Sequence, residues 1–387
     1  MDLLRVGIVG IGNMGGMHMQ NILDGKISNM QLTAICDIDE QKIKTAKEKY
    51  GIAVFQKYED LLSSKLIDAV IIATPHYLHP VIAIKAFENN LHVLTEKPAG
   101  VRSSDVLKMN TAAQKSGKVF GIMWNQRTNL LFQKAKEIID GGVLGTPKRL
   151  VWIITNWYRT QSYYNSASWR ATWAGEGGGV LLNQAPHNLD LWQWIFGMPD
   201  EISAECGIGK WHNIEVEDDV TITAGYKNGA TATFITSTGE YPGTNRLEIS
   251  GSKGKMVLEK GILKLSLTDE DERDFCFTDP NGFPSYNITE TEFEASETEK
   301  AHNGILQNFT NAVLFGDELL APGYEGIKEI TLSNAAYLSA WTGKKIILPM
   351  DNALFDALLE EKIKNSSVKN TQKKEAESQP CRWQVRW

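Results

Sequence analysis

The sequence has few cysteines, no excess of positive charge and no long apolar run, and each shortage excludes a class of protein. Its four cysteines are scattered over 387 residues and form no C-x-x-C pair. We therefore expect neither a disulfide framework nor a structural zinc site, and we predict no metal. The formal net charge is −7 and no basic stripe is present, which argues against a nucleic acid as partner. No apolar run approaches the length of a membrane span, so we expect no membrane partner.

A chain of 387 residues is long for a single domain, and its apolar content is sufficient for more than one core. We therefore expect two domains. The first apolar strand follows Met1 almost at once, which leaves no room for a signal peptide. Together with the scattered cysteines, this favours a cytoplasmic protein in a reducing compartment.

The most informative motif lies near the start of the chain, in Val6–Gly15. A short apolar run predicts a buried strand, and the glycines that follow match G-x-G-x-x-G ahead of an apolar helix. Gly10 permits the tight turn, Gly12 lets main-chain N–H groups approach a pyrophosphate, and Gly15 lets the helix pack closely on the strand. The helix N-terminus adds partial positive charge. The motif therefore predicts a dinucleotide site.

A carboxylate occupies the position at which such a site binds ribose. Asp37 follows the second predicted strand, Leu32–Cys36, about 20 residues beyond the last glycine. A carboxylate there accepts hydrogen bonds from the adenosine ribose hydroxyls and repels a 2′-phosphate, so we predict NAD rather than NADP. The alternative is that Asp37 only caps the next helix.

The first third of the chain alternates short strands and helices, which predicts a doubly wound parallel sheet of the Rossmann type. Ligands bind at the carboxyl ends of the strands in such a sheet. Several side chains lie just past predicted strand ends and therefore converge on one crevice: Asp37, Thr74, Pro75, His76, Glu96, Lys97, Trp124 and Asn125. Beyond about residue 140 the pattern predicts a largely antiparallel sheet with helices on one face, including hairpins at Asn228-Gly229 and Gly251–Lys255.

Lys97 is the first candidate for acid–base chemistry. It stands in Glu96-Lys97-Pro98, at a strand end beside the cofactor site. Burial and a positive nicotinamide ring would favour the neutral, proton-accepting form of its amine. The alternative is a surface lysine in a turn.

A second cluster follows three glycines, in Gly177–Asp190. Asn183 and His187 are spaced i, i+4, so they share one face of the predicted helix 180–196. Pro186 interrupts its hydrogen bonding, and we expect the regular helix to begin near residue 185. A lone histidine is usually structural, but one that stands beside amides and a carboxylate is a better site candidate.

With these motifs the chain resembles the glucose–fructose oxidoreductase, inositol dehydrogenase and rhizopine-catabolism (Gfo/Idh/MocA) family, from about Leu4 to Met350. The resemblance implies an α/β protein with a Rossmann domain in residues 1–125. It implies a C-terminal α/β domain in residues 126–350, with a large, mostly antiparallel open sheet that commonly forms dimers or tetramers. Beyond the stretch that carries the resemblance, we expect residues 351–387 to form a C-terminal helix and a polar tail, with the tail from Lys364 to Trp387 disordered.

The resemblance also assigns roles to residues. Lys97 and His187 match the family's catalytic lysine and histidine, and the Lys97–Pro98 peptide bond is a candidate for the cis form. Inositol-dehydrogenase-like members carry an aspartate four residues before that histidine, whereas this chain has Asn183. We therefore expect His187 to act as a hydrogen-bond partner of the substrate hydroxyl and Lys97 to be the principal proton acceptor.

The expected site residues fall into two sets that share Lys97 and Arg170. Those expected to bind the cofactor are Gly10, Gly12, Asn13, Met14, Asp37, Thr74, Pro75, His76, His79, Glu96, Lys97, Asn125, Trp169 and Arg170. Those expected to bind the substrate are Lys97, Trp124, Tyr163, Arg170, Asn183 and His187.

The function that follows is NAD-dependent oxidation of a ring hydroxyl of a sugar or glycoside by hydride transfer to nicotinamide. Related sequences with an Asn-Gln-x-Pro-His block look like enzymes that oxidise glycosides at C3, so a 3-keto sugar is the favoured product. An inositol or polyol dehydrogenase is the alternative. A non-catalytic sensor of NAD and sugar on the same fold is a rival, as is an enzyme that keeps NAD bound and catalyses hydrolysis or epimerisation through transient oxidation.

Overall fold

The computed structural model of the chain describes residues 3–295 and 300–367. They form two compact units, residues 3–129 with 300–331 and residues 130–295 with 332–367. The units do not follow the sequential ranges expected from the sequence, because residues 300–331 cluster with the first unit. The polar tail expected after the C-terminal helix lies, from residue 368 on, outside the described residues.

The first unit contains a six-stranded, fully parallel sheet with the order β3-β2-β1-β4-β5-β6. This is the strand order of a dinucleotide-binding Rossmann fold. The strands are β1 (Leu4–Val9), β2 (Met30–Cys36), β3 (Ala53–Phe55), β4 (Ala69–Ile72), β5 (His92–Thr95) and β6 (Phe120–Ile122). Every residue of β4 is buried, as expected of a parallel strand covered on both faces.

The helices of the first unit connect these strands and include one that returns from late in the chain. They are α1 (Asn13–Leu23), α2 (Glu40–Tyr50), α3 (Tyr58–Ser63), α4 (Leu78–Glu88), α5 (Ser103–Ser116) and α11 (Ala301–Phe315), with 3₁₀ helices at Asn125–Thr128 and Gly323–Glu325. Arg127 is almost fully buried, and its Nη1 lies 2.5 Å from Glu325 Oε2. This ion pair is one reason why the late segment belongs to the first unit, since a buried charge requires a partner.

The second unit contains a nine-stranded sheet with the order β14-β13-β12-β11-β7-β10-β9-β8-β15. Its strands are β7 (Pro147–Ile154), β8 (Glu201–Ile208), β9 (Glu217–Gly225), β10 (Thr231–Ser237), β11 (Asn245–Gly251), β12 (Gly254–Glu259), β13 (Ile262–Thr268), β14 (Ile288–Glu294) and β15 (Ile346–Ile347). Neighbours are antiparallel except β7 and β10, which are parallel. The two predicted hairpins are confirmed, because β9 pairs with β10 and β11 with β12.

Aromatic side chains fix helices to one face of this sheet. The helices of the unit are α6 (Leu130–Asp140), α7 (Gln161–Tyr164), α8 (Val180–Asn183), α9 (Pro186–Phe196), α10 (Glu272–Thr278), α12 (Gly326–Thr342), which begins in the first unit, and α13 (Asn352–Lys364). Phe132 of α6 contacts Trp152 of β7, and Trp192 of α9 stacks on Phe234 of β10. Among the described residues, no helix combines the length and apolar composition needed to cross a bilayer.

The helix predicted over residues 180–196 is two helices in the structure. The short α8 ends at Asn183, and α9 begins with Pro186 at its first position. Proline is tolerated there because the first N–H groups of a helix have no partner within it. The predicted start near residue 185 is therefore confirmed, and the Lys97–Pro98 bond is cis, as the resemblance implied.

Candidate active site

Close packing requires glycine at two of the three glycine positions of the loop in the first unit. Gly10 has a φ of +87°, and a Cβ on it would lie 2.6 Å from the carbonyl oxygen of Ala73. A Cβ on Gly15 would lie 1.8 Å from the carbonyl oxygen of Gly10. Gly12 differs, because its Cβ would meet no atom within 4 Å. The first and third glycines therefore let the turn and α1 pack, and the second leaves an open face.

That open face carries the N-terminus of α1. Gly12 is the N-cap residue, and no side chain of the described residues caps the helix. The first N–H groups of α1, including those of Asn13 and Met14, are thus available to an anion, which the helix dipole would also attract. This geometry fits the pyrophosphate of a dinucleotide.

Asp37 is held against the same loop by main-chain donors. Its Oδ2 accepts a hydrogen bond from the N–H of Ile11 at 2.8 Å, and its Oδ1 accepts one from the N–H of Asp39 at 2.9 Å. The cap of α2 is Asp39, whose carboxylate accepts from the N–H groups of Gln41 and Lys42. The alternative that Asp37 merely caps α2 is therefore wrong, and its carboxylate stays at the end of β2.

Two orphaned polar atoms lie near other strand ends of this sheet. Thr74, after β4, and Asn125, after β6, have buried side-chain oxygens with no hydrogen-bond partner within the part of the chain that the structure describes. Buried oxygens without partners are costly, and ligand groups are one way to satisfy them. Together with the open loop and Asp37, these atoms give the carboxyl edge of the sheet polar groups that fit NAD.

The carboxylate beside Lys97 lies near two histidines, the fully buried His18 and the half-buried His302. Glu96 Oε1 lies 2.7 Å from His18 Nε2, and the rings of His18 and His302 are 5.8 Å apart. Burial raises the pKa of Glu96, but the hydrogen bond and charge of His18 outweigh it and bring the pKa to about 2. Burial lowers the pKa of His302 to about 4. Glu96 is thus an anion, and its Oε2 accepts a hydrogen bond from the N–H of Lys97 at 3.2 Å.

His79 holds the turn of Lys97 rather than presenting its ring to solvent. The ring is buried, with Nδ1 2.8 Å from the carbonyl oxygen of Pro98 and Nε2 2.8 Å from that of Thr74. Burial lowers the pKa of His79. The neighbouring His76 is also buried, with its ring 6.0 Å away. The contacts of His79 give it a positioning role between two loops at the carboxyl edge of the sheet.

In the second unit, polar contacts join four side chains in a closed ring: three expected substrate residues and one carboxylate that was not expected. The Nη1 of Arg170 donates to the hydroxyl of Tyr163 at 2.6 Å, and that hydroxyl donates to Asn183 Oδ1 at 3.4 Å. The Nδ2 of Asn183 donates to Glu176, whose Oε1 lies 3.8 Å from Arg170 Nη1. Gln184 also donates to the Tyr163 hydroxyl, at 3.2 Å. Sequence reasoning missed Glu176 and Gln184.

A buried carboxylate supports the loop that carries these residues. Glu217 accepts hydrogen bonds from the N–H groups of Gly179 and Leu181 and from the hydroxyl of Tyr337. Burial raises the pKa of Glu217 to about 7 despite these donors. It therefore caps α8, at whose end Asn183 lies.

The other expected residues have different surroundings in the structure. His187 is buried in the first turn of α9, and Asp190 in the same helix accepts from Gln193 at 2.9 Å. The guanidinium of Arg170 lies 4.7 Å from the ring of Trp169. Trp124 is fully buried in the first unit, and its contact with substrate stays a prediction.

Family models match both parts of the chain. Residues 4–123 match the "Oxidoreductase family, NAD-binding Rossmann fold", and residues 132–257 match the "GFO/IDH/MocA C-terminal domain". An oxidoreductase of uncharacterised function from Bacillus subtilis, YrbE, is 26% identical over 88% of this chain and 95% of its own. The myo-inositol 2-dehydrogenase of Thermotoga maritima is 26% identical over 69% of this chain and 79% of its own.

The fold matches solved structures as well. The WlbA dehydrogenase from Chromobacterium violaceum, crystallised with NADH and UDP-GlcNAcA, superposes with a TM-score of 0.78 at 28% identity. The match covers 91% of this chain and 97% of that one.

Proposed function

This chain belongs to the Gfo/Idh/MocA family of NAD-binding oxidoreductases, and from that membership we propose that it oxidises a ring hydroxyl of a sugar or glycoside. It is an NAD-dependent enzyme that acts on CH–OH groups. Our proposal adds the substrate class and the favoured position, C3, which would give a 3-keto sugar. The Thermotoga relative is named for a cyclic polyol, and the WlbA structure was solved with a sugar nucleotide, which supports a polyhydroxylated ring as substrate.

The observation that carries the proposal is the placement of Lys97. It is the second residue after β5, at the carboxyl edge of the parallel sheet that also holds the glycine loop and Asp37. In such a sheet the cofactor binds at that edge. An amine there can reach the hydroxyl of a molecule bound against the nicotinamide.

Each residue then has a defined task. The main-chain N–H groups at Gly12 and the start of α1 bind the pyrophosphate, and Asp37 accepts hydrogen bonds from the ribose hydroxyls. When bound, NAD supplies a nicotinamide ring that accepts the hydride from the carbinol carbon. Lys97 takes the proton of the hydroxyl at its Nζ, and the buried Glu96 and His79 hold the turn that carries it. In the second unit, His187 is our candidate for a hydrogen-bond partner of the substrate.

The polar groups of the second unit suit an uncharged ring that carries several hydroxyls. Amide and hydroxyl groups of Asn183, Gln184 and Tyr163 share one polar ring of contacts. Such groups both donate and accept, as the hydroxyls of a sugar do. An inositol would satisfy them equally, so it stays the alternative substrate.

The experiment is a screen for NADH formation with glycosides, free sugars and inositols, followed by NMR assignment of the keto position in the product. Lys97→Ala should lose about 10²-fold or more in kcat on the best substrate, the usual scale for a general acid–base group, with little change in NAD affinity. Lys85→Ala, at an exposed ion pair with Glu88 in the same unit, is the matched control. Turnover of Lys97→Ala near the wild-type rate would refute the assignment.

The rivals give different results in the same screen. A sensor would bind NAD and sugar without forming NADH. An enzyme that works through transient oxidation would carry NAD through purification and would convert sugar without net NADH release.

A further inference from the structure

We infer that Glu176 makes the candidate substrate site selective for neutral sugars over sugar acids, because it cancels the charge of Arg170. The inference rests on the proposed function and deepens it, since it names which sugars the same site accepts.

Glu176 is buried inside the second unit and is not a surface group. Its side chain is 1% exposed. One oxygen accepts from the N–H of Ala171 at 2.6 Å, and the other contacts the amide of Asn183 and lies 3.8 Å from Arg170. A carboxylate withdrawn from water is tolerated only with such donors and a nearby cation.

Arg170 is the cation that pairs with this carboxylate. Its side chain is 15% exposed, and its guanidinium lies 4.4 Å from the ring of Tyr163 and 4.7 Å from that of Trp169. Its Nε is buried and has no hydrogen-bond partner among residues 3–295 and 300–367. A guanidinium fixed on aromatic rings would ordinarily bind a carboxylate of the substrate through a two-pronged contact. Here a protein carboxylate already lies on it.

A second cation lies near the same tyrosine, because the guanidinium of Arg159 is 5.1 Å from the Tyr163 ring. Its Nη1 donates to the carbonyl oxygens of Trp157 and Tyr158, so Arg159 is engaged with main-chain oxygens. The carboxylate that contacts Asn183 and lies beside Arg170 is Glu176.

The consequence is a penalty on an anionic ring. A sugar carboxylate brought to Tyr163 and Asn183 would lose its hydration, and the repulsion from Glu176 would offset the attraction of Arg170 that could otherwise compensate this loss. A hydroxymethyl group at the same position would lose only hydrogen bonds that the amides can replace. The site should therefore discriminate by charge while it tolerates different neutral rings.

The test compares the best neutral glycoside of the screen with the uronic acid that differs from it only by a carboxylate at C6. We expect kcat/KM of the wild type to favour the neutral glycoside by at least about tenfold, which is about 1.4 kcal/mol. Glu176→Gln should reduce this preference at least about tenfold, mainly through a lower KM for the acid. Arg170→Met should increase the preference, because Glu176 is then left unbalanced. Glu201→Gln, at an exposed ion pair with Lys345, is the charge control and should leave the ratio unchanged.

The outcomes separate this inference from the proposed function. If the wild type oxidises the uronic acid as well as the neutral glycoside, or if Glu176→Gln leaves the ratio unchanged, the inference is overturned and the dehydrogenase stands. If no sugar is oxidised, the proposed function fails, and calorimetric binding of the same two compounds to the NAD-loaded wild type and variants decides the inference by the same ratios. If Glu176→Gln does not fold, as a thermal melt would show, the opposite shift in Arg170→Met carries the test.

Discussion

At the scale of single residues, Asn183 shows how a neighbour decides what a side chain can do. Its Nδ2 donates to Glu176, and its Oδ1 accepts from the hydroxyl of Tyr163, so the amide has a fixed orientation. The sequence indicated that Asn183 brings no charge next to His187. The structure adds a carboxylate, Glu176, seven positions earlier in the chain and in contact with it.

Asn183→Asp should therefore destabilise the protein at neutral and higher pH. The variant sets a second carboxylate against Glu176, and two carboxylates in contact cannot both be ionised without strong repulsion. One of them must hold a proton in the folded state, so stability is lost as pH rises. Between pH 5 and pH 8, the free energy of unfolding of the variant, measured in urea, should fall by about 1–3 kcal/mol more than that of the wild type.

The double variant Asn183→Asp/Glu176→Gln is the matched control. It exchanges the amide and the carboxylate between the two positions and should recover most of the lost stability. Equal pH dependence of the wild type and Asn183→Asp would mean that the two side chains do not share a contact.

At the same scale, we expect Asp37 to govern the choice of cofactor. Its carboxylate is fixed by Ile11 and Asp39 at the end of β2, where it would accept hydrogen bonds from ribose hydroxyls and would repel a 2′-phosphate. NAD should bind at least about tenfold more tightly than NADP, or about 1.4 kcal/mol. Asp37→Ala should narrow that gap, mostly by weakening NAD. Asp39→Asn removes a nearby charge but keeps the cap of α2, and it should leave the gap intact; calorimetry measures both.

At the scale of elements, the glycine loop allows stability and cofactor binding to be separated. Gly12→Ala adds a methyl group that meets no protein atom within 4 Å but points from the open N-terminus of α1. It should melt within a few degrees of the wild type and bind NAD at least about tenfold more weakly, because the methyl group occupies space that the phosphates need.

Gly15→Ala should fail in a different way. Its methyl carbon would lie 1.8 Å from the carbonyl oxygen of Gly10, so α1 must move away from the turn. We expect lower thermal stability together with the loss of NAD affinity. Two variants with the same melting temperature would contradict the packing role of the third glycine.

Some elements could be predicted from the sequence and others could not. Strand-helix alternation predicted the parallel sheet but not β3 or α3. All three residues of β3 are only half-buried, unlike the three buried residues of β6, and the six residues of α3 make less than two helical turns. The residues of the candidate site that stand at strand ends or in the glycine and lysine motifs could be proposed from the sequence, and their roles stay predictions. Glu176 was missed because a carboxylate in a glycine-rich loop has no periodicity, and only tertiary structure brings it to Arg170.

At the scale of the whole molecule, contacts distant in sequence decide the division into units. The late segment with α11 joins the first unit through partners such as Arg127 and Glu325, which are 198 positions apart. No local pattern predicts such a pair. For the same reason the sequence could place His18 on α1 but could not bring His302 to it.

Buried titratable groups in the two units act on overall stability in opposite directions. In the first unit, burial lowers the pKa of His302 to about 4 from 6.5. The unfolded state therefore binds the proton more tightly, and the stability of the folded state rises as pH increases from 4 to 6.5. In the second, burial raises the pKa of Glu217 to about 7 from 4.5. The folded state then holds that proton more tightly than the unfolded state, and the stability so contributed is present below pH 4.5 and lost as pH rises through 7.

Glu217→Gln should therefore make the protein more stable, relative to the wild type, at the upper end of this range. The amide keeps an oxygen for the N–H groups of Gly179 and Leu181 but has no charge to bury. We expect the difference in unfolding free energy between variant and wild type to grow by up to about 3 kcal/mol from pH 4.5 to pH 7. Urea unfolding across that range measures it, with Glu201→Gln as the exposed control. Parallel curves for Glu217→Gln and the wild type would show that Glu217 is ionised throughout, and that the donors on α8 and Tyr337 outweigh its burial.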